Sequence, residues 1–131
     1  MIHTSDILRA KLLIVDDQAA NVLLLERLLR SAGYSAISTT QNPQEVVDLH
    51  RQNRYDLILL DLNMPEMDGY EAMRRIREQE RFKKLPMLAL TAKAMRDDRA
   101  KCLEAGANDY ITKPVDTEKL QSLMRVWLRR S

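Results

Sequence analysis

Leu57-Ile58-Leu59-Leu60-Asp61 is a short apolar run closed by a carboxylate. Other runs share this form: Leu12-Leu13-Ile14-Val15 leads into Asp16-Asp17, Met87-Leu88-Ala89-Leu90 into Thr91, and Tyr110-Ile111-Thr112 into Lys113-Pro114. Apolar runs of this length without polar alternation suit strands covered on both faces, the usual condition of a parallel sheet. In an open parallel sheet, ligands sit beyond the carboxyl ends of the strands, so residues that close separate strands converge although far apart in sequence. Three carboxylates, a hydroxyl and an amine are therefore expected in one crevice.

Between the runs the hydrophobic period changes from that of a strand to that of a helix, five times along the chain, which predicts an α/β fold. Val22, Leu25, Leu28, Leu29 and Ala32 mark the apolar face of a first helix, and Gly33 is placed to end it in a left-handed cap. Asn42, Pro43 and Glu45 predict the start of a second, with a side-chain cap, a first-turn proline and a capping-box glutamate. A third follows Met64-Pro65-Glu66-Met67-Asp68-Gly69 and turns Tyr70, Met73 and Ile76 inward. The fourth, about Met95 to Ala105 before Gly106, is poor in large apolar residues, so weak packing is expected of it. Asp116 caps the fifth, Val115 and Leu120 form a hydrophobic staple, and Leu120, Leu123, Met124 and Trp127 make its buried stripe. The segment Ser35-Ala36-Ile37-Ser38-Thr39-Thr40 and the short Tyr110 run read as edge strands, giving a single five-stranded parallel sheet of order 2-1-3-4-5. Its switch point lies between the first and third strands, which deliver Asp17 and Asp61.

Length and composition set the frame. At 131 residues, with 45% hydrophobic and 31% charged content, the sequence reads as one domain over 1–131 with its core at about 11–128 and no second domain. The lone Cys102 suits a reducing cytosol, and no stretch approaches a membrane span, so a cytoplasmic protein without a membrane segment is expected. Arg74, Arg75, Arg77, Arg81, Lys83 and Lys84 cluster, as do Arg125, Arg129 and Arg130. Without a recognition-helix pattern or interleaved aromatics, they read as solvated helix faces and not as a nucleic-acid site. His3 and His50 likewise read as surface residues.

Asp16, Asp17 and Asp61 in one crevice repel one another and call for positive charge. Lys113 supplies one cation, and an all-oxygen site of this kind suits magnesium, with the Asn63 backbone carbonyl as a further ligand. A carboxylate beside magnesium and lysine is a competent nucleophile toward phosphorus, and Asp61 is the candidate. Thr91 is placed to donate its hydroxyl to a phosphoryl oxygen, and Lys113 to pair with another.

Together, Asp16-Asp17, Asp61-Leu62-Asn63-Met64-Pro65-Glu66-Met67-Asp68-Gly69, Thr91-Ala92, and Lys113-Pro114 with Tyr110 three residues earlier resemble a response-regulator receiver domain over about Lys11 to Leu128. The resemblance implies a flavodoxin-like receiver fold and phosphorylation of Asp61 by a histidine kinase or histidine phosphotransfer protein. It implies that Asp17 binds magnesium directly, that Asp16 helps through water, and that Thr91 and Tyr110 form a switch pair. It further implies that Lys113 reads the phosphoryl charge, aimed by a cis bond to Pro114, and that phosphorylation can bring homodimerisation. Asn63 and Lys93 occupy positions that influence phosphoryl lifetime. A downstream protein is expected on the surface of the fourth helix, fifth strand and fifth helix, around Met95, Arg96, Arg99 and Lys119. The stretch Ala89-Leu90-Thr91-Ala92-Lys93-Ala94-Met95 and the ending Val126-Trp127-Leu128 are similar to receivers of hybrid sensor kinases, and a single-domain regulator is the other context.

Rival chemistries fit less well. An aspartate-dependent phosphatase-like hydrolase of the haloacid-dehalogenase type needs a second acid two residues after its nucleophile, where this chain has Asn63. A nucleotide-binding protein needs glycines after the first strand, where this chain has Asp16-Asp17-Gln18. A phosphohistidine carrier needs its histidine on a long amphipathic helix with a kinase-like motif, and neither His3 nor His50 has that setting.

Overall fold

The apolar runs pair as strands of one parallel sheet: β1 (Leu12–Val15), β2 (Ile37–Thr40), β3 (Leu57–Asp61), β4 (Met87–Thr91) and β5 (Asp109–Thr112), in the order β2-β1-β3-β4-β5. The computed structural model describes residues 7–62, 69–78, 85–91, 100, 103–113 and 115–130. The helices are α1 (Ala19–Ser31), α2 (Val46–Asn53), α3 (Gly69–Glu78), α4, whose described helical positions are 100 and 103–105, and α5 (Thr117–Arg130). A single turn of 3-10 helix, Pro43–Glu45, leads into α2.

Strand side chains alternate between two apolar layers, as the period of two requires. Leu13, Val15, Ile58, Leu60, Met87 and Ala89 pack with Val46 of α2, Met73 and Ile76 of α3, and Ala105 of α4. Leu12, Ile14, Leu57, Leu59, Leu88 and Leu90 pack with Val22, Leu25 and Leu29 of α1, and with Leu120, Met124 and Leu128 of α5. All residues of β1, β3 and β4 are buried, whereas β2 and β5 are partly open, as expected of edges. α4 meets the core through the small side chain of Ala105 while Leu103 stays exposed, in keeping with its apolar-poor sequence. Trp127 is half-buried against the α1/α5 layer, and so is Leu123. Cys102 and His3 lie outside the described residues.

The expected end of α1 is present as a Schellman cap. Gly33 has φ +107, its N–H donates to Arg30 O at 3.0 Å, and the Tyr34 N–H donates to Leu29 O at 3.0 Å. Asp116 caps α5 with one carboxylate oxygen, which accepts from the N–H groups of Glu118 at 2.9 Å and Lys119 at 3.2 Å.

The start of the second helix departs from expectation. Asn42 Oδ1 does accept from the Gln44 N–H at 3.0 Å, but Glu45 does not close a capping box. The buried Thr40 hydroxyl takes both roles: it donates to Glu45 Oε2 at 2.8 Å and accepts from the Asn42 N–H at 3.1 Å. The Asn42 N–H is already engaged by the hydroxyl two residues before it, and the glutamate bonds to that side chain and not to backbone.

His50 is a second correction, since it is half-buried and structural. α2 ends at Arg54 in the left-handed region, φ 52, and His50 Nδ1 accepts from the Tyr55 N–H at 2.9 Å just beyond it. The imidazole stacks on Tyr55 with ring centroids 6.0 Å apart. Burial holds His50 below its ordinary 6.5, the Asp56 carboxylate opposes this, and the Arg54 charge adds to it. A histidine whose pKa falls on folding contributes stability that is complete above the unfolded value and is lost as pH falls below about 6.5. His50→Ala is expected to cost about 1 kcal/mol at pH 7.5. In urea unfolding, the gap from the parent protein should narrow toward pH 5; a gap independent of pH would contradict this role.

Candidate functional site

The carboxyl ends of β1 and β3 lie side by side, with Val15 opposite Leu60, so the residues that follow each meet in front of the sheet. Asp16 and Asp61 are buried, Asp17 is half-buried, and carboxylate oxygens of the three lie within 4.8 Å of one another. Lys113, brought in at the end of β5, donates from Nζ to Asp61 Oδ1 at 2.8 Å and lies 3.8 Å from Asp16 Oδ2. Its backbone N–H donates to Thr91 O at 2.7 Å, so the end of β4 holds the lysine in place.

Asp16 also shapes the loop. Its Oδ1 accepts from the Gln18 N–H at 3.0 Å, which turns the chain from β1 into α1. Burial raises the Asp16 carboxyl to about 6; the Gln18 N–H opposes the rise, the Asp61 charge adds to it, and Lys113 lowers it. Asp16 and Asp61 thus share the Lys113 ammonium. Asp16 Oδ2 and Asp17 Oδ1 are buried without a hydrogen-bond partner among those residues. Two buried, unpartnered carboxylate oxygens in an acidic cluster are the donor set that a hard divalent cation fits.

Thr91 is buried at the end of β4, and Tyr110 is half-buried on β5. Tyr110 pairs with Ala89 and packs in the α2/α3/α4 layer, on the parity that Thr91 shares two residues on. The structure therefore assembles Asp16, Asp17, Asp61 and Lys113, and sets Thr91 and Tyr110 on adjoining strands. Asn63, Lys93 and Pro114 lie outside the described residues, as do Met95, Arg96 and Arg99 of the expected output surface; Lys119 on α5 is exposed.

The response regulator receiver domain model matches residues 12–125. The chain belongs to the response regulator receiver family. This receiver is 33% identical over 116 residues to the polar-differentiation response regulator DivK of Brucella anthropi, covering 88% of this chain and 94% of DivK. It is 38% identical over 120 residues to the sensor protein GacS of Pseudomonas syringae, covering 89% of this chain, and 32% identical over 123 residues to hybrid signal transduction histidine kinase L of Dictyostelium discoideum, covering 90%. It spans 13% of GacS and 7% of hybrid kinase L. Among solved structures it resembles the receiver domain of sensor histidine kinase PA1611 from Pseudomonas aeruginosa, with TM-score 0.82 and 39% identity over 92% of this chain and 98% of that one. That receiver was solved with a magnesium ion coordinated in its active site cleft. The phosphatase-like alternative gains no support, and the family is one of signalling modules. No helix among the described residues is long and apolar enough to cross a membrane.

The arginine cluster needs one correction. Arg77 does not face solvent with Arg74 and Arg75: it is half-buried and donates from Nε to Gly106 O at 2.8 Å and from Nη2 to Asn108 Oδ1 at 2.7 Å. Gly106 has φ +118, and a Cβ there would lie 2.5 Å from Arg77 Cγ, so glycine serves both the turn and the arginine's approach.

A carboxyl whose pKa rises on folding adds stability that is full below its unfolded value and is lost as pH climbs through the folded one. For Asp16 the window runs from 3.8 to about 6. With chelator present, Asp16→Asn is therefore expected to raise the melting temperature at pH 7.5, by at most about 3 kcal/mol in stability. The gain should vanish toward pH 4. A variant less stable than the parent at pH 7.5 would refute the charge-burial account.

Proposed function

We propose that this receiver is a magnesium-dependent phosphoacceptor whose nucleophile is Asp61. The supporting observation is the setting of that carboxylate: buried at the end of β3, bonded to Lys113 Nζ and clustered with Asp16 and Asp17. Asp16, Asp17 and Asp61 would hold the metal together with the Asn63 carbonyl, and the magnesium seen in the similar Pseudomonas receiver supports this choice of ion. Bound magnesium supplies charge neutralisation on the phosphoryl oxygens.

The Asp61 carboxylate attacks phosphorus in line, and the P–N bond to a partner's phosphohistidine breaks, its electron pair leaving with the imidazole. Lys113 then pairs with a phosphoryl oxygen of the acyl phosphate in place of the carboxylate, and the Thr91 hydroxyl donates to another. Water later cleaves the acyl phosphate, returning Asp61 and inorganic phosphate. The domain acts on itself and turns over no separate substrate, so its chemistry is that of a switch.

A phosphoryl group brings roughly −2 charge and three acceptor oxygens, enough to draw Thr91 toward it and let Tyr110 turn inward. The signal then leaves through α4, β5 and α5, around Met95, Arg96, Arg99 and Lys119, to a downstream protein or a second copy of the chain. The donor is a histidine kinase or phosphotransfer protein in the cytoplasm. Single-domain context is supported by the coverage of DivK, and hybrid-kinase context by the matches to GacS and hybrid kinase L.

The test is incubation with magnesium and acetyl phosphate, followed by intact mass measurement. One labile phosphate is expected, absent in Asp61→Asn and after chelation, and formed at least ten-fold more slowly in Lys113→Ala. No adduct on the unmodified chain, or an adduct that survives Asp61→Asn, would overturn the assignment.

A further inference from the structure

β5 is short and lies at the sheet's edge, with Ile111 as its one buried residue. Such a strand holds its register weakly, because little buried surface distinguishes one pairing from the next. Yet the register of β5 decides which of its side chains reach the site. A slip of one residue shifts the strand by about 3.3 Å and turns each side chain to the other face. Tyr110 would leave the α2/α3/α4 layer, and Lys113 would leave the acidic cluster.

The register is fixed at the far end of the strand. Asn108 pairs twice with Met87, its N–H donating to Met87 O at 2.8 Å and its Oδ1 accepting from the Met87 N–H at 2.8 Å. Arg77 Nη2 donates to that same Oδ1 at 2.7 Å while Nε grips Gly106 O. One guanidinium on α3 thereby joins the end of α4, the first residue of β4 and the approach to β5. Its fork geometry serves two acceptors at fixed separation, which a lysine ammonium cannot reproduce. The Arg77 guanidinium is partly desolvated for this, and burial lowers its pKa accordingly.

We propose that Arg77, acting through Asn108, is a positioning residue for phosphoryl transfer: it sets the register of β5 and so delivers Lys113 to Asp61. The inference rests on the phosphoacceptor reading above. Arg77 and Asn108 bond at the amino end of β5, the end opposite Lys113, so the proposed effect on the chemistry passes along the strand.

The test is a double-mutant cycle on the rate of Asp61 phosphorylation by acetyl phosphate at saturating magnesium. Arg77→Met is expected to slow the reaction about five-fold in the parent chain and to leave the already slow Lys113→Ala chain unchanged. Asn108→Ala should reproduce the defect without adding to it, and Asn108→Asp, which keeps both acceptor contacts, should restore the parent rate. If Arg77→Met does not fold, Arg77→Lys carries the same cycle with a smaller loss. Equal slowing in both Lys113 backgrounds would make Arg77 a general support of the domain and overturn the proposal, as would an unchanged rate in the parent chain. Failure of the parent chain itself to take up phosphate would instead defeat the phosphoacceptor reading.

Discussion

Three carboxylates held within 4.8 Å of one another, two of them buried, form the constraint to which the rest of this receiver answers. Like charges at that distance cost several kcal/mol wherever water is excluded. Lys113 offsets part of the cost, bonded to Asp61 at 2.8 Å and 3.8 Å from Asp16. The remainder appears in the Asp16 carboxyl, which burial and its neighbour drive up to about 6. Such a cluster persists only where the scaffold outweighs it. Here the wholly buried β1 and β3 carry the acids on their ends, beside the equally buried β4.

The alternation of the strands then divides the labour. On β3, Leu57 and Leu59 belong to the α1/α5 layer, and Asp61 continues that parity; on β1, Leu12 and Ile14 do the same for Asp16. On β4 and β5, Ala89 and Tyr110 belong to the opposite layer, and Thr91 follows Ala89. By strand parity, Asp16 and Asp61 thus continue one face of the sheet, and Thr91 and Tyr110 the other. Ala89 opposite Tyr110 leaves the ring a small neighbour, consistent with its half-buried position.

Much of this could be read from residues alone, for physical reasons that vary by element. Strand order followed from burial on two faces against one: Leu57 to Leu60 carry no polar residue, whereas Ser35 to Thr40 do. The acidic cluster followed because carboxyl ends of parallel strands converge wherever the helices pack. Glu45, His50 and Arg77 were misread because each chooses among competing partners that sequence spacing does not rank. Glu45 bonds to the Thr40 hydroxyl five residues before it, and Arg77 finds acceptors 29 and 31 residues away. A basic run signals only that charge is present, and the glycine at 106 was the sole hint that one member turns inward.

Two of these, His50 and Arg77, share a location. Arg77 and Asn108 stand where β4 and β5 begin, and His50 and Tyr55 stand just before β3. At the start of β1 and β3, the Lys11 N–H donates to Asp56 Oδ2 at 2.8 Å and the Asp56 N–H to Lys11 O at 2.7 Å. The amino ends of β1, β3, β4 and β5 thus gather specific polar clasps, while the carboxyl ends of β1 and β3 gather repelling charge. Separation of this kind is what the proposed function requires: a site that is to accept a further negative group cannot also serve as the fold's anchor, because each change of charge there would then unfold what it is meant to switch. With register fixed at one end of the sheet, the other is left free to carry electrostatic tension and to change.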